Sequence, residues 1–282
     1  MKALSLVAVL LSGISFSQSS MVYKIEKENQ KPSYIYLNSV TCGDNQYLKR
    51  LEKDVIPNVS AISVEANLNS NKNKATLQNF IQVTEKEQKA KNILSVSDYQ
   101  KLVGYVQEAM GVNEQMVNMF KPFYVNAVLG SLDNPCGTVK GENINVALEK
   151  YAEKKELSYS ELLSISEYVT LMDVQDKNYW NKNISYKLNK SNEIKEAVKQ
   201  KNKAYNNGNM VELENIYTKN PYFNEKNTDK FLKDYLKIIV PKIEKQTAEK
   251  PTLFTIGVEY AVNGKQNILD VLKSKGYKLT EM

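Results

Sequence analysis

Histidine is absent from the 282 residues of this chain. Because histidine is the usual general base near neutral pH and the commonest metal ligand, its absence excludes several kinds of active site. Ser-His-Asp sites, Cys-His sites and the usual zinc triads cannot be built. Chemistry based on carboxylate, lysine, tyrosine or thiol groups stays open.

Arginine is nearly absent too, since Arg50 is the only one in the chain. The formal net charge of +6 therefore comes almost entirely from lysine. Arginine is the side chain preferred for bidentate hydrogen bonds to phosphates and bases. The lysines here are scattered among glutamates and asparagines. This pattern is typical of a solvated surface, and we predict no nucleic-acid partner.

Long apolar runs are missing beyond the first residues. Lys2 is followed by an apolar run over 3–11 and a small-x-small pattern at 15–17, which together are typical of a secretory signal peptide. We expect residues 1–17 to be removed by cleavage near Ser17, and the product to be periplasmic or secreted. The apolar run of the leader is too short to span a bilayer as a retained helix, and the rest of the chain has no long uncharged apolar run, so we expect no transmembrane segment in the mature chain. The short leader and the lysine and asparagine bias favour a bacterial cell.

The two cysteines, Cys42 and Cys136, leave two interpretations open. In an exported protein such a pair favours a disulfide, which would close a loop of about 95 residues and contribute about 4–5 kcal/mol on the chain-entropy model. The alternative is two unpaired thiols. Two cysteines without histidine make a poor metal site, and we predict neither a metal nor another cofactor.

Strand patterns occur near both ends of the chain. Alternating or continuous apolar residues predict strands at 21–26, 34–37, 61–66, 253–257 and 277–279. The first two predict a β-hairpin. Between the last two, Asn267 predicts a helix N-cap and Gly276 predicts the helix stop.

The segments between these strands predict helices, with amphipathic spacing over 160–172, for example. Residues 227–244 predict a helix that is interrupted or ended around Pro241. We therefore predict an α/β (α+β) fold, with a central mixed sheet formed from both chain ends and a large helical insertion at about 85–245. Residues 18–282 are predicted to form a single domain.

Several short segments follow one another in an order that resembles a known family. They are Val22-Tyr23-Lys24-Ile25, Lys31-Pro32-Ser33-Tyr34-Ile35-Tyr36, Leu94-Ser95-Val96-Ser97-Asp98-Tyr99, Phe120-Lys121-Pro122-Phe123, Phe254-Thr255-Ile256-Gly257 and Ile268-Leu269-Asp270-Val271-Leu272-Lys273 with Gly276-Tyr277-Lys278-Leu279. In this order they resemble the TraB/GumN family, which includes the Tiki-type proteases. Its corresponding segments read W-K-I, K-P-S-Y-L-F, L-S-x-x-D-Y, L-K-P-W, F-V-A-V-G-A-G-H and L-L-x-L-L-x-x-x-G-Y-x-V. The resemblance covers nearly the whole mature chain and implies a Tiki/TraB/GumN-like fold and a hydrolase or protease that uses a divalent metal.

Departures from the family pattern fall at the positions that carry its chemistry. Val40 stands where the family's Gly-x-x-His motif has its histidine. Tyr260 stands where the family's Gly-x-Gly-His motif has its histidine. Valine cannot bind a metal, and a phenol with an ordinary pKa of about 10 replaces an imidazole poorly. The middle motif, L-E-T followed by Gln, is also lost, because residues 162–164 read Leu-Leu-Ser and Tyr168 stands near the glutamine position.

A few polar positions of the family remain, and each has an alternative explanation. Glu65 contacts a ligand or pairs with a lysine such as Lys226. Lys226-Asn227 stands where the family has an Arg-Asn pair, and the alternative explanation for Asn227 is that it caps its helix. The alternative explanation for Gly257 is that the strand turns sharply there. Glu259 is a candidate for a new metal ligand or for the partner of Glu65 in a carboxylate pair.

Three functions are compatible with these residues. We favour a catalytically inactive pseudoenzyme scaffold with a binding or structural role, whose ligand is an unidentified protein, peptide or small molecule. The alternative is a metal-dependent or carboxylate-based hydrolase with a site rebuilt from Glu65, Glu259 and Tyr260, since carboxylates and tyrosine support acid–base work when their pKa values are shifted. The third is a generic exported protein with an accidental likeness, which the matches from both ends of the chain disfavour.

Overall fold

The computed structural model describes residues 20–39, 46–68, 70–83, 89–132, 144–173, 176–220, 223, 229–262 and 266–282. Within these ranges, six strands form one mixed sheet in the order β4-β3-β5-β2-β1-β6. The strands are β1 Val22–Glu26, β2 Ser33–Asn38, β3 Ala61–Val64, β4 Ser158–Glu161, β5 Thr252–Gly257 and β6 Lys278–Glu281. The α/β (α+β) fold with a mixed sheet is confirmed.

The strand order places the end of the chain inside the sheet. Strand β5 pairs in parallel with β2 on one side and with β3 on the other. Strand β4 extends the parallel part, whereas β1 and β6 add antiparallel strands beyond β2. The predicted hairpin is confirmed by the antiparallel pairing of β1 and β2, in which Val22 lies opposite Tyr36.

Helices fill most of the remaining described chain. They are α1 Gln46–Arg50, α2 Asn71–Gln78, α3 Ala90–Ile93, α4 Val96–Met110, α5 Glu114–Val117, α6 Pro122–Leu132, α7 Ile144–Lys154, α8 Ile165–Asp173, α9 Lys177–Asn189, α10 Ser191–Asn206, α11 Met210–Lys219, α12 Asp229–Glu249 and α13 Ile268–Ser274. A π-helical turn and a 3-10 turn extend α1, and a 3-10 turn at Val258–Tyr260 follows β5. The helix predicted over 160–172 is wrong at its start, because β4 occupies 158–161 and α8 begins only at Ile165.

The end of the chain follows its predicted local signals except at Pro241. The Asp270 N–H donates to Asn267 Oδ1 at 3.0 Å, and Gly276 adopts a φ of +86°, so the predicted cap and stop of α13 are confirmed. Helix α12, however, continues through Pro241, which is exposed on its surface. The neighbouring Val240 and Ile243 are buried, and this packing holds the helix together across the proline.

Buried apolar side chains form two cores. The larger core packs the sheet against helices that include α7, α10, α12 and α13, and the smaller one lies among α3, α4, α5, α6, α8 and α9. Leu68, Tyr168 and Met172 pack against both cores and so mark the seam between them. None of the helices in the described ranges has both the length and the apolar character needed to cross a bilayer.

Candidate ligand-binding cleft

The carboxyl ends of the parallel strands bring the candidate residues to one edge of the sheet. Asn38 ends β2 and lies opposite Gly257 at the end of β5, while Glu65 directly follows β3. Together with Lys201 of α10 and Glu259, these residues line a cavity of about 250 Å³, which we name the polar chamber. Ligands bind characteristically at this edge of parallel sheets.

Gly257 brings two carboxylates together at the end of β5. Its N–H donates to Glu65 Oε2 at 2.9 Å. A Cβ atom at this position would lie 2.7 Å from Cδ of Glu259, so the carboxylate of Glu259 rests directly against the glycine. We expected glycine to occupy this position because of a sharp turn, and this explanation is wrong. The φ of −56° and ψ of 132° at Gly257 are accessible to any residue. The reason is space for the Glu259 carboxylate.

Tyr260, at the position of the second family histidine, lies in the core. Its side chain is 1 % exposed, and its ring stacks on Tyr235 with centroids 3.9 Å apart and on Phe231 at 6.2 Å. Burial raises the pKa of Tyr260 well above its ordinary value, and the nearby charges of Glu65 and Glu259 raise it further. The phenol is therefore protonated and neutral at physiological pH.

Glu65 has partners within the protein. It accepts the hydrogen bond from Gly257 and interacts with the hydroxyl of Tyr260, so its carboxylate ties the end of β3 to the end of β5. The suggested pairing with Lys226 stays a prediction, because Lys226 lies outside the described residues. Lys201 approaches the polar chamber from the side of β2, where its Nζ donates to Ser39 Oγ at 3.0 Å.

A larger, mostly apolar cavity adjoins the polar chamber. It has a volume of about 530 Å³, lies along the seam between the two cores, and is named here the apolar chamber. Its aromatic lining is Phe123, Tyr124, Tyr168, Tyr179, Trp180, Tyr217, Phe223 and Phe231. Its lining also includes Asn126 and two charged residues, Lys187 and Glu259. Cavities of this size and character are typical of small-molecule sites.

Several predicted positions lie outside the described residues. They are Val40, Cys42, Cys136, Lys226 and Asn227. The disulfide between Cys42 and Cys136 and the cap at Asn227 therefore stay predictions. Of the remaining predicted positions, Glu65, Gly257 and Glu259 meet at the polar chamber, and Tyr260 lies beneath them in the core.

The two lysines of the cleft, Lys187 and Lys201, were not predicted from the sequence, although the sequence contains a signal for them. On α10, Lys201 follows Ile194 and Ala197 on the apolar stripe, and it is only 7 % exposed. On α9, Lys187 shares a stripe with Trp180 and is also 7 % exposed. A lysine at an apolar position of a helix points toward the core or a cavity, rather than to solvent.

The described residues do not fit the divalent metal that the resemblance implies. Glu65 offers a carboxylate that already accepts a hydrogen bond from Gly257, and Tyr260 offers a neutral phenol in the core. No group of three or more Cys, Asp or Glu side chains able to hold a metal occurs in the described part of the chain. Hard divalent cations take several oxygen ligands, and softer ones favour imidazole or thiolate.

Comparison with known proteins places the chain in a family. The sequence model of the TraB/PrgY/gumN family matches residues 21–281, which include every strand of the sheet. No curated protein and no solved structure matches the chain.

Proposed function

The chain belongs to the TraB/PrgY/gumN family, and on that premise we propose that it is an exported, non-catalytic member that binds a ligand in its cleft. The fold that gathers the strand ends is retained. The two positions to which the resemblance assigns histidines carry Val40 and Tyr260. The cleft of such a pseudoenzyme takes up a protein, peptide or small-molecule ligand without hydrolysing it.

The environment of Tyr260 is the observation that carries this proposal. A metal ligand or a general base must present a lone pair to the cleft, but the Tyr260 ring is buried and stacked on Tyr235. Its raised pKa keeps the phenol protonated, and a protonated phenol is a poor metal ligand. The side chain at this position is therefore suited to filling the core, and not to coordination.

A carboxylate-based hydrolase is the second candidate, because Glu65 and Glu259 flank the same glycine at the polar chamber. Two carboxylates at a cleft can divide the roles of acid and base when their surroundings separate their pKa values. Against this candidate, Glu65 already holds the end of β5 through Gly257. A carboxylate engaged in this way is suited to positioning a strand.

Metal analysis of protein purified without a histidine tag tests the proposal, since a tag would supply the histidines that the chain lacks. We expect well under one equivalent of zinc, manganese or cobalt, and no hydrolysis of peptide or ester substrates. One equivalent of metal that is lost in Glu65→Gln but kept in the exposed control Glu196→Gln would overturn the proposal. Metal-independent hydrolysis that is lost in both Glu65→Gln and Glu259→Gln would support the carboxylate hydrolase instead.

Export requires its own experiment. The apolar run over 3–11 and the small residues at 15 and 17 support cleavage near Ser17. We expect mass spectrometry of the protein from the periplasm or the medium of a bacterial host to give an N-terminus near Gln18. Protein that stays in the cytoplasm with residues 1–17 intact would overturn this part of the proposal.

A further inference from the structure

The two chambers are neighbours, one polar and one apolar. Both are lined by Leu68, Tyr168, Tyr217 and Glu259. Their volumes, about 250 and 530 Å³, together lie within the usual range for small-molecule sites. A ligand that fills the cleft is therefore amphipathic, with a polar head and an apolar body.

Negative charge is in excess at the polar end. Among the described residues that line the polar chamber, Glu65 and Glu259 supply two carboxylates, whereas Lys201 supplies the single ammonium group. The ammonium group of Lys201 lies beside Ser39. This difference of one charge makes a cationic head group complementary to the chamber.

The junction between the chambers has the same preference. Tyr168 and Tyr217 line both chambers with aromatic rings, and Glu259 lines both with its carboxylate. Cations are attracted to the faces of aromatic rings as well as to carboxylates. Lys187, the positive group of the apolar chamber, does not line the polar one, and it donates to the carbonyl of Asn126 at 3.2 Å.

We infer that the cleft binds an organic ammonium ion, with its amine or guanidinium head in the polar chamber and an aromatic or aliphatic body in the apolar chamber. This inference rests on the proposed function, because it names the class of ligand for the same cleft. Glu259, which lines both chambers, determines the preference for a cationic head.

Trp180 provides a direct measurement of occupancy. It is the only tryptophan of the chain, and it lines the apolar chamber with its ring 5.0 Å from Tyr179. The untagged protein is titrated with 4-phenylbutylamine, 4-phenylbutan-1-ol and 4-phenylbutyrate, which share one body and differ in the charge of the head. We expect each to change the Trp180 fluorescence, with the amine binding about 5- to 30-fold more tightly than the alcohol and the acid binding most weakly.

A matched pair of variants assigns the preference to its residue. Glu259→Gln should bring the affinities of the amine and the alcohol to within about two-fold of each other. Glu196→Gln, at an exposed position on α10, should leave the preference unchanged.

The titration of the unaltered protein decides the inference even where a variant fails to fold. An amine that binds no more tightly than the alcohol overturns the inference but leaves the binding function in place. The tightest binding by the acid overturns it as well and assigns the head group to a lysine. A Trp180 signal that responds to none of the three compounds overturns the inference, whereas the proposed non-catalytic role is decided by the metal and hydrolysis measurements.

Discussion

Truncation of Tyr260 tests whether the ring at the family's second histidine position belongs to the core. Tyr260→Ala removes a side chain that is 1 % exposed and stacked 3.9 Å from Tyr235. Loss of a buried aromatic ring of this kind costs about 3–5 kcal/mol of unfolding free energy. Tyr260→Phe keeps the ring and removes only the hydroxyl, so we expect a change of less than about 1.5 kcal/mol.

Urea unfolding and thermal melting followed by circular dichroism measure both losses. Each kcal/mol lowers Tm by about 2–4 °C in a large domain, so Tyr260→Ala should melt about 6–20 °C below the unaltered protein. The control is Tyr105→Ala, where the side chain is 41 % exposed and the expected change is within about 0.5 kcal/mol. If Tyr260→Ala cost no more than this control, the ring would not be packed, and the argument against a coordinating role at this position would fail.

Three further predictions concern pH, a helix and the glycine of the cleft. Burial raises the pKa of Tyr23 to about 12, and that of Tyr260 well above its ordinary value. The contribution of each such tyrosine to stability should therefore be constant below about pH 10 and then fall by up to about 1.4 kcal/mol per pH unit; urea midpoints that do not fall between about pH 10 and 12 would contradict this. Pro241→Ala restores a backbone N–H within α12 and should raise the unfolding free energy by about 1–2 kcal/mol in urea titrations, whereas a decrease would mean that the helix depends on the proline. Gly257→Ala should displace the Glu259 carboxylate at a cost of about 0.5–1.5 kcal/mol and weaken the preference for the amine, and an unchanged preference would count against the role of Glu259.

The ends of the fold could be predicted from the sequence because local signals and packing agree there. The alternating residues of β1 and β2, the cap at Asn267 and the stop at Gly276 each have a direct physical cause. Strand β4 was missed because its residues, Ser158 to Glu161, are polar and half-exposed at the sheet edge, so they carry no apolar signal. At Pro241 the local signal was present but the prediction was wrong. Tertiary packing overrides the local preference of a proline to end a helix.

The site could be predicted only in part. The resemblance selected Glu65, Gly257 and Tyr260, and the first two meet at the polar chamber. The stacking of Tyr260 on Tyr235 could not be predicted, because the two rings lie on elements separated by the whole of β5 and are joined only by tertiary packing. The same holds for Lys201, whose approach to the strand ends depends on how α10 lies against β2.

The place of β5 in the sheet determines when the protein can fold. Its two neighbours, β2 and β3, come from the first 64 residues, yet β5 begins only at Thr252. A chain emerging from the ribosome therefore carries unpaired strand edges through most of its synthesis, and such edges are templates for aggregation. Pairing across so long a stretch of chain is also slow. A protein terminated before Thr252 would lack the strand that joins the two halves of its sheet, and we expect it to be degraded or to aggregate.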